Sequence, residues 1–152
     1  MTPDRSLDHL YPAFSKKIRT ILLQMDRWCA VHLPGYHAQV AEGYRGVRRQ
    51  QELYAQGRTT PGDIVTEKDG VKNRSRHQGC LAADVAFARL GLLTWDVPEA
   101  AWEYLRHLAH TQGLTSGSDW KAFKDRPHLE WPASDRDTYE AAEKWKAAMG
   151  LA

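Results

Sequence analysis

Residues 75–84 have the sequence Ser75-Arg76-His77-Gln78-Gly79-Cys80-Leu81-Ala82-Ala83-Asp84, in which a polar turn leads into an apolar run that carries one carboxylate. From position 81 to 87 the chain is mostly apolar and β-prone, which predicts a buried strand. Because side chains alternate along a strand, Asp84 is expected on the face opposite its apolar neighbours Ala83 and Val85. A carboxylate in such a strand is costly unless it is paired or binds a metal.

An imidazole and a carboxylate therefore lie close together in the chain, at His77 and Asp84, and Gly79 between them is expected to let the backbone turn tightly. A second imidazole, His128, follows on a separate predicted strand. Two His and one carboxylate are the three protein ligands that a catalytic zinc ion uses, with water in the fourth position. Asp125, three residues before His128, is then predicted to be the general base that takes a proton from that water.

Length and composition favour a single domain over residues 1–152, because a chain of 152 residues that is 42% hydrophobic can form its own core. The net charge of +2, with both signs interspersed, excludes the basic stripe of a nucleic-acid-binding protein. Cys29 and Cys80 form no CxxC motif and are expected to be buried thiols. Residues 1–8 lack the apolar segment of a signal peptide, and no run is long enough to span a membrane, so we expect a cytoplasmic protein.

Hydrophobic periodicity predicts an α+β fold, a small antiparallel sheet flanked by helices. The expected strands cover residues 37–42, 81–87 and 128–131. The expected helices cover residues 10–29, then 47–56 with Gly57 at the C′ position, then a stretch that starts with Pro98 at N1 and stops at Gly113, and finally a C-terminal helix opened by a capping box at 134–137. The polar stretch 58–76 is predicted to be a long functional loop.

These segments resemble the LAS group of zinc peptidases, which contains the D-alanyl-D-alanine carboxypeptidases and dipeptidases and the L-alanyl-D-glutamate endopeptidases. The signature of that group is Ser-x-His-x-x-Gly-x-Ala-x-Asp, followed by acid-x-x-His. The residues that we match to it are Ser75, His77, Gly79, Asp84, Asp125 and His128, and Ala82 then falls one position away from the signature alanine. The resemblance implies a hedgehog/D-Ala-D-Ala peptidase-like fold with zinc held by His77, Asp84 and His128.

The resemblance extends upstream. Glu42-Gly43-Tyr44-Arg45 and residues 49–62 are similar to the small phage endolysins of the family, so that the likeness covers about residues 7–131. It implies that Arg45 polarises the scissile carbonyl and stabilises the developing oxyanion, and that Ser75 contacts the substrate beside the metal.

Two tryptophans, Trp120 and Trp131, flank the last acid and His and are candidates to line the cleft, with Trp120 chosen as a substrate contact. Related endolysins often read Trp-Gly-Gly-Asp-Trp before the last acid, whereas this chain has Ser116-Gly117-Ser118-Asp119-Trp120. Ser116 therefore replaces an aromatic residue of the family pattern.

The sequence thus predicts a zinc-dependent peptidoglycan peptidase of the phage endolysin type, a monomer that hydrolyses the stem peptide, with L-alanyl-D-glutamate as the favoured bond. Without a signal peptide, access to the wall would depend on a holin-like membrane permeabiliser. One alternative is a D-alanyl-D-alanine carboxypeptidase. Others are a non-catalytic zinc-containing wall-binding module, which should have four protein ligands rather than three, and a metal-free glycosidase with two carboxylates.

Overall fold

The computed structural model describes residues 1–151 and contains helices, short 3₁₀ turns and strands. The helices are α1 (Pro12–His32), α2 (Val47–Ala55), α3 (Glu99–Thr111) and α4 (Arg136–Ala148). The strands are β1 (Tyr36–Glu42), β2 (Ala82–Arg89), β3 (Leu92–Thr94), β4 (Thr115–Ser116) and β5 (His128–Glu130). The 3₁₀ turns are η1 (Leu7–His9), η2 (Arg76–Gly79) and η3 (Gly117–Asp119).

The strands form one antiparallel sheet in the order β1-β2-β5-β4, with β3 pairing to the far end of β2. In the pairing of β2 with β5, Asp84 lies directly opposite His128. A register shift in β1 between Val40 and Glu42 brings Glu42 opposite Asp84 as well. Such a bulge re-aims the side chains that follow it. The predicted α+β class with a small antiparallel sheet is confirmed.

The hydrophobic core lies between the sheet and α1 and α3. One face of α1 is fully buried, and the side chains that form it are Phe14, Ile18, Ile21, Met25 and Cys29. Phe87 of β2 meets Trp102 of α3 edge to face, with 5.2 Å between ring centroids. Burial of each of these large side chains contributes about 1.5–3 kcal/mol to the free energy of folding. This packed face of the sheet therefore supports the opposite face, which carries Asp84.

Most predicted elements are present with boundaries that differ by a few residues. Two predicted helix starts are wrong in detail. Pro98 is the N-cap of α3 rather than its first residue. The N-cap of α4 is Asp135, whose side chain accepts from the backbone N–H of Thr138, so the capping box predicted from position 134 does not form. The two short strands β3 and β4 were not predicted, since two or three residues carry no clear alternation.

The predicted long loop is confirmed between α2 and η2. Its predicted last residue, Arg76, is instead the first residue of η2. Gly57, with φ of +75°, occupies the C′ position as predicted. Both cysteines are free, fully buried thiols. Across the described residues, no helix combines the length and the apolar character that crossing a membrane requires.

Candidate metal centre and active-site cleft

Three side chains that are distant in sequence meet on the polar side of β2. His77 on η2, Asp84 on β2 and His128 on β5 each offer one ligand atom, and these atoms lie within 4.8 Å of one another. Within residues 1–151 this is the one group of three or more His, Cys, Asp or Glu side chains arranged to hold a metal ion. Two imidazoles and a carboxylate at this separation fit a zinc ion with an open fourth position.

The orientation of His77 is set by its backbone surroundings. Its Nδ1 donates to the carbonyl oxygen of Gly43 at 2.8 Å. This bond leaves Nε2 free, and Nε2 lies 3.5 Å from Oδ2 of Asp84. A ligating histidine commonly fixes its tautomer by donating its other N–H in this way.

His128 uses the opposite ring nitrogen. Its Nδ1 lies 3.3 Å from Oδ1 of Asp84, and its Nε2 lies 2.9 Å from Oε1 of Glu130. Burial disfavours the charged forms of both Asp84 and His128. Even so, the charges and hydrogen bonds of His77 and His128 hold the pKa of Asp84 well below its usual range. Hydrogen bonds that His128 donates to Asp84 and Glu130, together with their negative charges, raise the pKa of His128 to about 9.

The tight turn before β2 is at Cys80, so its assignment to Gly79 was wrong. Cys80 has φ of +61° and ψ of 22°, whereas Gly79 is not among the residues with positive φ. This left-handed conformation favours glycine. Counted from His77, the signature glycine then falls on Cys80 and the signature alanine on Ala82, without any shift. Cys80 is the one departure in this stretch.

Asp125 lines the same cleft as the three cluster residues, as the general-base prediction requires. Burial and the charge of Asp84 raise its pKa, while the nearby imidazoles and Arg45 act in the opposite direction. Its backbone N–H donates to the carbonyl of Gly117 at 3.0 Å. A Cβ atom at position 117 would lie only 2.1 Å from the carbonyl oxygen of Asp125. Gly117 was not predicted as a site residue, although it lies in the segment Ser116–Trp120 that was compared with the endolysin pattern.

Arg45 is buried and lines the cleft. Its guanidinium donates to Glu42 at 2.8 Å and to Gln50 at 2.9 Å, and one of its nitrogens lies 3.6 Å from Asp84 Oδ2. Arg49 also binds Glu42, at 3.0 Å. The guanidinium is thus fixed beside the metal cluster. Glu42 and Gln50 were missed as site residues because their contacts depend on the bulge in β1 and on α2.

Gln50 also holds the long loop. It is fully buried, and its amide nitrogen donates to the carbonyl of Lys68 at 2.7 Å and to the hydroxyl of Thr66 at 3.2 Å. Ile64 and Val65, a few residues earlier in the loop, line the cleft. One side chain therefore connects the loop to Arg45.

Ser75 has a structural contact in addition to its place on the cleft lining. Its hydroxyl accepts from the backbone N–H of His77 at 3.3 Å, and the side chain of Gln78 accepts from the backbone N–H of Ser75 at 2.9 Å. This capping box starts η2 and so places His77. Its substrate contact stays a prediction.

The aromatic lining comes from Trp120 and Phe123. The ring of Trp120 lies 5.0 Å from that of His128, centroid to centroid. Trp131 does not line the cleft. Its indole N–H donates to Asp135 at 2.8 Å. Ser116 is fully buried and caps η3, so the family's aromatic is replaced here by a helix cap.

The cleft has a volume of about 800 Å³ and joins the cluster, Arg45 and Asp125 to the loop. Carboxylates and imidazoles form its floor, and apolar side chains from the loop and from Phe123 line its outer part. Its volume lies in the range of small-ligand sites, and most of its lining side chains are polar or charged, which suits a polar ligand.

Comparisons with known proteins find similar sequences and structures for this part of the chain. The family model for D-alanyl-D-alanine carboxypeptidase matches residues 69–131, which contain the three cluster residues and Asp125. Peptidoglycan L-alanyl-D-glutamate endopeptidase CwlK of Bacillus subtilis (strain 168) is 39% identical over 104 residues. That alignment covers 63% of this chain and 61% of CwlK, so the chain spans less than two thirds of its relative.

Solved structures share the fold. The L-Ala D-Glu endopeptidase ChiX of Serratia marcescens superposes with a TM-score of 0.58 at 24% identity, over 88% of this chain and 86% of ChiX. The vancomycin-resistance D,D-pentapeptidase VanY, whose structure contains Zn(II), gives a TM-score of 0.53 at 18% identity, over 89% of this chain and 76% of VanY. The segment that holds the cluster and Asp125 is therefore similar to the D-alanyl-D-alanine carboxypeptidases of the M15 peptidase family, and the chain shares the fold of these solved structures.

Proposed function

We propose that this protein is a zinc-dependent peptidoglycan peptidase that hydrolyses the stem peptide, with the L-alanyl-D-glutamate bond as its target. The observation that carries the proposal is the meeting of His77, Asp84 and His128 in one cleft with Asp125. Three ligands leave one position open, as hydrolysis requires and as a structural zinc site does not. This argues against the non-catalytic wall-binding module.

The zinc ion would be held by Nε2 of His77, the carboxylate of Asp84 and Nδ1 of His128, because the other ring nitrogens are engaged elsewhere. When bound, zinc acts as a Lewis acid toward the scissile carbonyl and makes a water molecule more acidic at neutral pH.

Asp125 would accept a proton from the attacking water and pass it to the leaving amine. Its raised pKa suits both halves of this transfer, since a general base works best when its pKa lies near the operating pH. Arg45 would stabilise the negative charge that develops on the carbonyl oxygen. Its guanidinium is already fixed by Glu42 and Gln50, so it needs little rearrangement as that charge appears.

The choice of bond is supported by the relatives. CwlK and ChiX are both named for cleavage between L-alanine and D-glutamate. The alternative is a carboxypeptidase that removes a terminal D-alanine, which is the activity named by the matching family model. Both reactions use the same metal and base, so the geometry of the cluster does not separate them.

The test is digestion of purified peptidoglycan with and without a zinc chelator, followed by mass spectrometry of the fragments. Endopeptidase activity should release peptides that begin with D-glutamate. Loss of a single alanine instead would establish the carboxypeptidase, and undiminished activity in a strong chelator would contradict the zinc mechanism. The variant Asp125→Ala is the control for contaminating hydrolases.

We further propose that residues 1–152 act as one monomeric peptidase domain of phage endolysin type. In such a system the wall is reached only after a holin-like protein has opened the membrane. The upstream likeness of Arg45 and residues 49–62 to the small phage endolysins supports this proposal. Lysis on co-expression with a holin, and none without it, is the expected outcome.

A further inference from the structure

Glu130 is a buried carboxylate that has no part in the mechanism described so far. It lies on β5 two residues after His128, so both side chains point to the same face of the sheet. Its exposed fraction is 8%. Oε1 of Glu130 lies 2.9 Å from Nε2 of His128, the ring nitrogen that faces away from Asp84.

The other carboxylate oxygen faces a cation. Nε of Arg76 lies 3.6 Å from Oε2 of Glu130. The guanidinium of Arg76 also covers the ring of Tyr139 on α4, 4.5 Å from its centroid. Tyr139 is in turn anchored, since its hydroxyl donates to the carbonyl of Trp131 at 2.7 Å. Glu130 is thus bound from two sides, by His128 in the interior and by Arg76 at the rim.

This arrangement explains how a buried carboxylate is tolerated. A buried carboxylate without partners would destabilise the fold. A purely structural ion pair with Arg76 would account for one oxygen only, and at 3.6 Å it is longer than the contact with His128. The shorter, buried contact is therefore the one that defines where Glu130 lies.

We propose that Glu130 is a positioning residue that fixes the ring of His128 so that Nδ1 faces the metal, with Arg76 and α4 holding Glu130 in place. This inference rests on the proposed zinc site. Accepting the Nε2–H bond selects the tautomer in which Nδ1 carries a free lone pair, and the negative charge of Glu130 makes that lone pair a stronger donor. Through Tyr139, α4 supports the metal centre although it lies outside the matched segment 69–131.

The experiment compares zinc affinity in two variants that preserve the size of the side chain. Glu130→Met removes the acceptor, and zinc affinity measured by competition with a chromophoric chelator should fall by about 10–100-fold. Glu130→Gln keeps an acceptor oxygen but loses the charge, so its affinity should lie between Glu130→Met and the wild type. Cobalt substitution should show a shifted d–d absorption spectrum in both variants. The matched control is Glu143→Gln, a carboxylate paired with Arg74 at 2.7 Å and not with a ligand, which should bind zinc like the wild type.

Zinc affinity equal to wild type in both folded Glu130 variants would overturn the proposal. Should Glu130→Met fail to fold by circular dichroism, an unchanged cobalt spectrum in Glu130→Gln would overturn it alone. These results differ from failure of the proposed function, in which the wild-type protein itself would bind no zinc or would leave peptidoglycan intact.

Discussion

Two parts of the cleft lining are built in different ways. We call η2, β2 and β5 the ligand frame, and residues 58–75 the loop wall. The ligand frame is held by paired strands over a fully buried core, with Leu129 next to His128 at zero exposure. The loop wall has no extended strand and is held mainly by side chains that bind its backbone, such as Gln50 and Asp69.

The difference separates two demands on the site. Metal ligands must keep their positions to a fraction of an ångström, which a hydrogen-bonded sheet over a packed core provides. A surface that receives part of a polymer can adjust, and the loop wall leaves Ile64 and Val65 at 45% and 46% exposure. We therefore expect slow amide exchange in β2 and β5 and faster exchange in the loop wall.

The largest effect should come from breaking the ligand frame. Asp84→Asn removes the central ligand and its charge, so that zinc binding and peptidoglycan hydrolysis should both fall to background. Isothermal titration with zinc and a turbidity assay on cell walls measure the two quantities. The matched control is Asp69→Asn in the loop wall. The Asp69 carboxylate accepts from the backbone N–H groups of residues 71–73 and touches no ligand, so this substitution should leave zinc affinity unchanged.

Replacing the proposed base, Asp125, should separate zinc binding from catalysis. Asp125→Asn keeps the size of the side chain but accepts no proton, and kcat should fall by about 10²–10⁴ while zinc affinity stays near that of the wild type. A kinetic assay with a synthetic stem peptide, run beside the zinc titration, decides the outcome. Retention of wild-type kcat would remove Asp125 from the mechanism.

The loop wall should respond most to loss of its anchor. Gln50→Ala leaves Arg45 and the carbonyl of Lys68 without their buried partner, which should cost about 1–3 kcal/mol of folding free energy. Cleavage of the loop by trypsin should also become faster. Gln56→Ala is the comparison, because Gln56 makes only an exposed bond to the carbonyl of Asp63 at 3.0 Å and its loss should be nearly neutral. Equal stability and proteolysis in the two variants would contradict the anchoring role.

The smallest effect concerns the entrance to β2. Cys80→Gly and Cys80→Ala both remove the thiol, but only glycine adopts positive φ without strain, so Cys80→Gly should be the more stable by about 1 kcal/mol in urea unfolding. Gly79→Ala should be tolerated, since its φ is ordinary and the nearest atom to an added Cβ is Glu143 Oε1 at 3.6 Å. A Gly79→Ala variant that is strongly destabilised, together with Cys80→Ala as stable as Cys80→Gly, would contradict the assignment of the turn to Cys80.

The ligands could be predicted from sequence because their signals are local. The alternating pattern around Asp84 and the spacing from Asp125 to His128 do not depend on the rest of the fold. The contacts of Glu42 and Gln50 could not be predicted in this way, because they depend on a bulge in β1 and on where α2 packs. The tight turn was assigned to Gly79 because propensity favours glycine, whereas the positive φ falls on Cys80, whose side chain is fully buried.

The pairing of Asp84 with His128 also couples the metal to the stability of the whole molecule. These ligands are 44 residues apart and come together only when β2 and β5 pair, so the unfolded chain offers zinc no comparable site. By mass action, free zinc at 100 times its dissociation constant would add about 2.7 kcal/mol to the free energy of unfolding. Chelation would withdraw that contribution, so that the same ion that serves the reaction would set the temperature at which the protein melts.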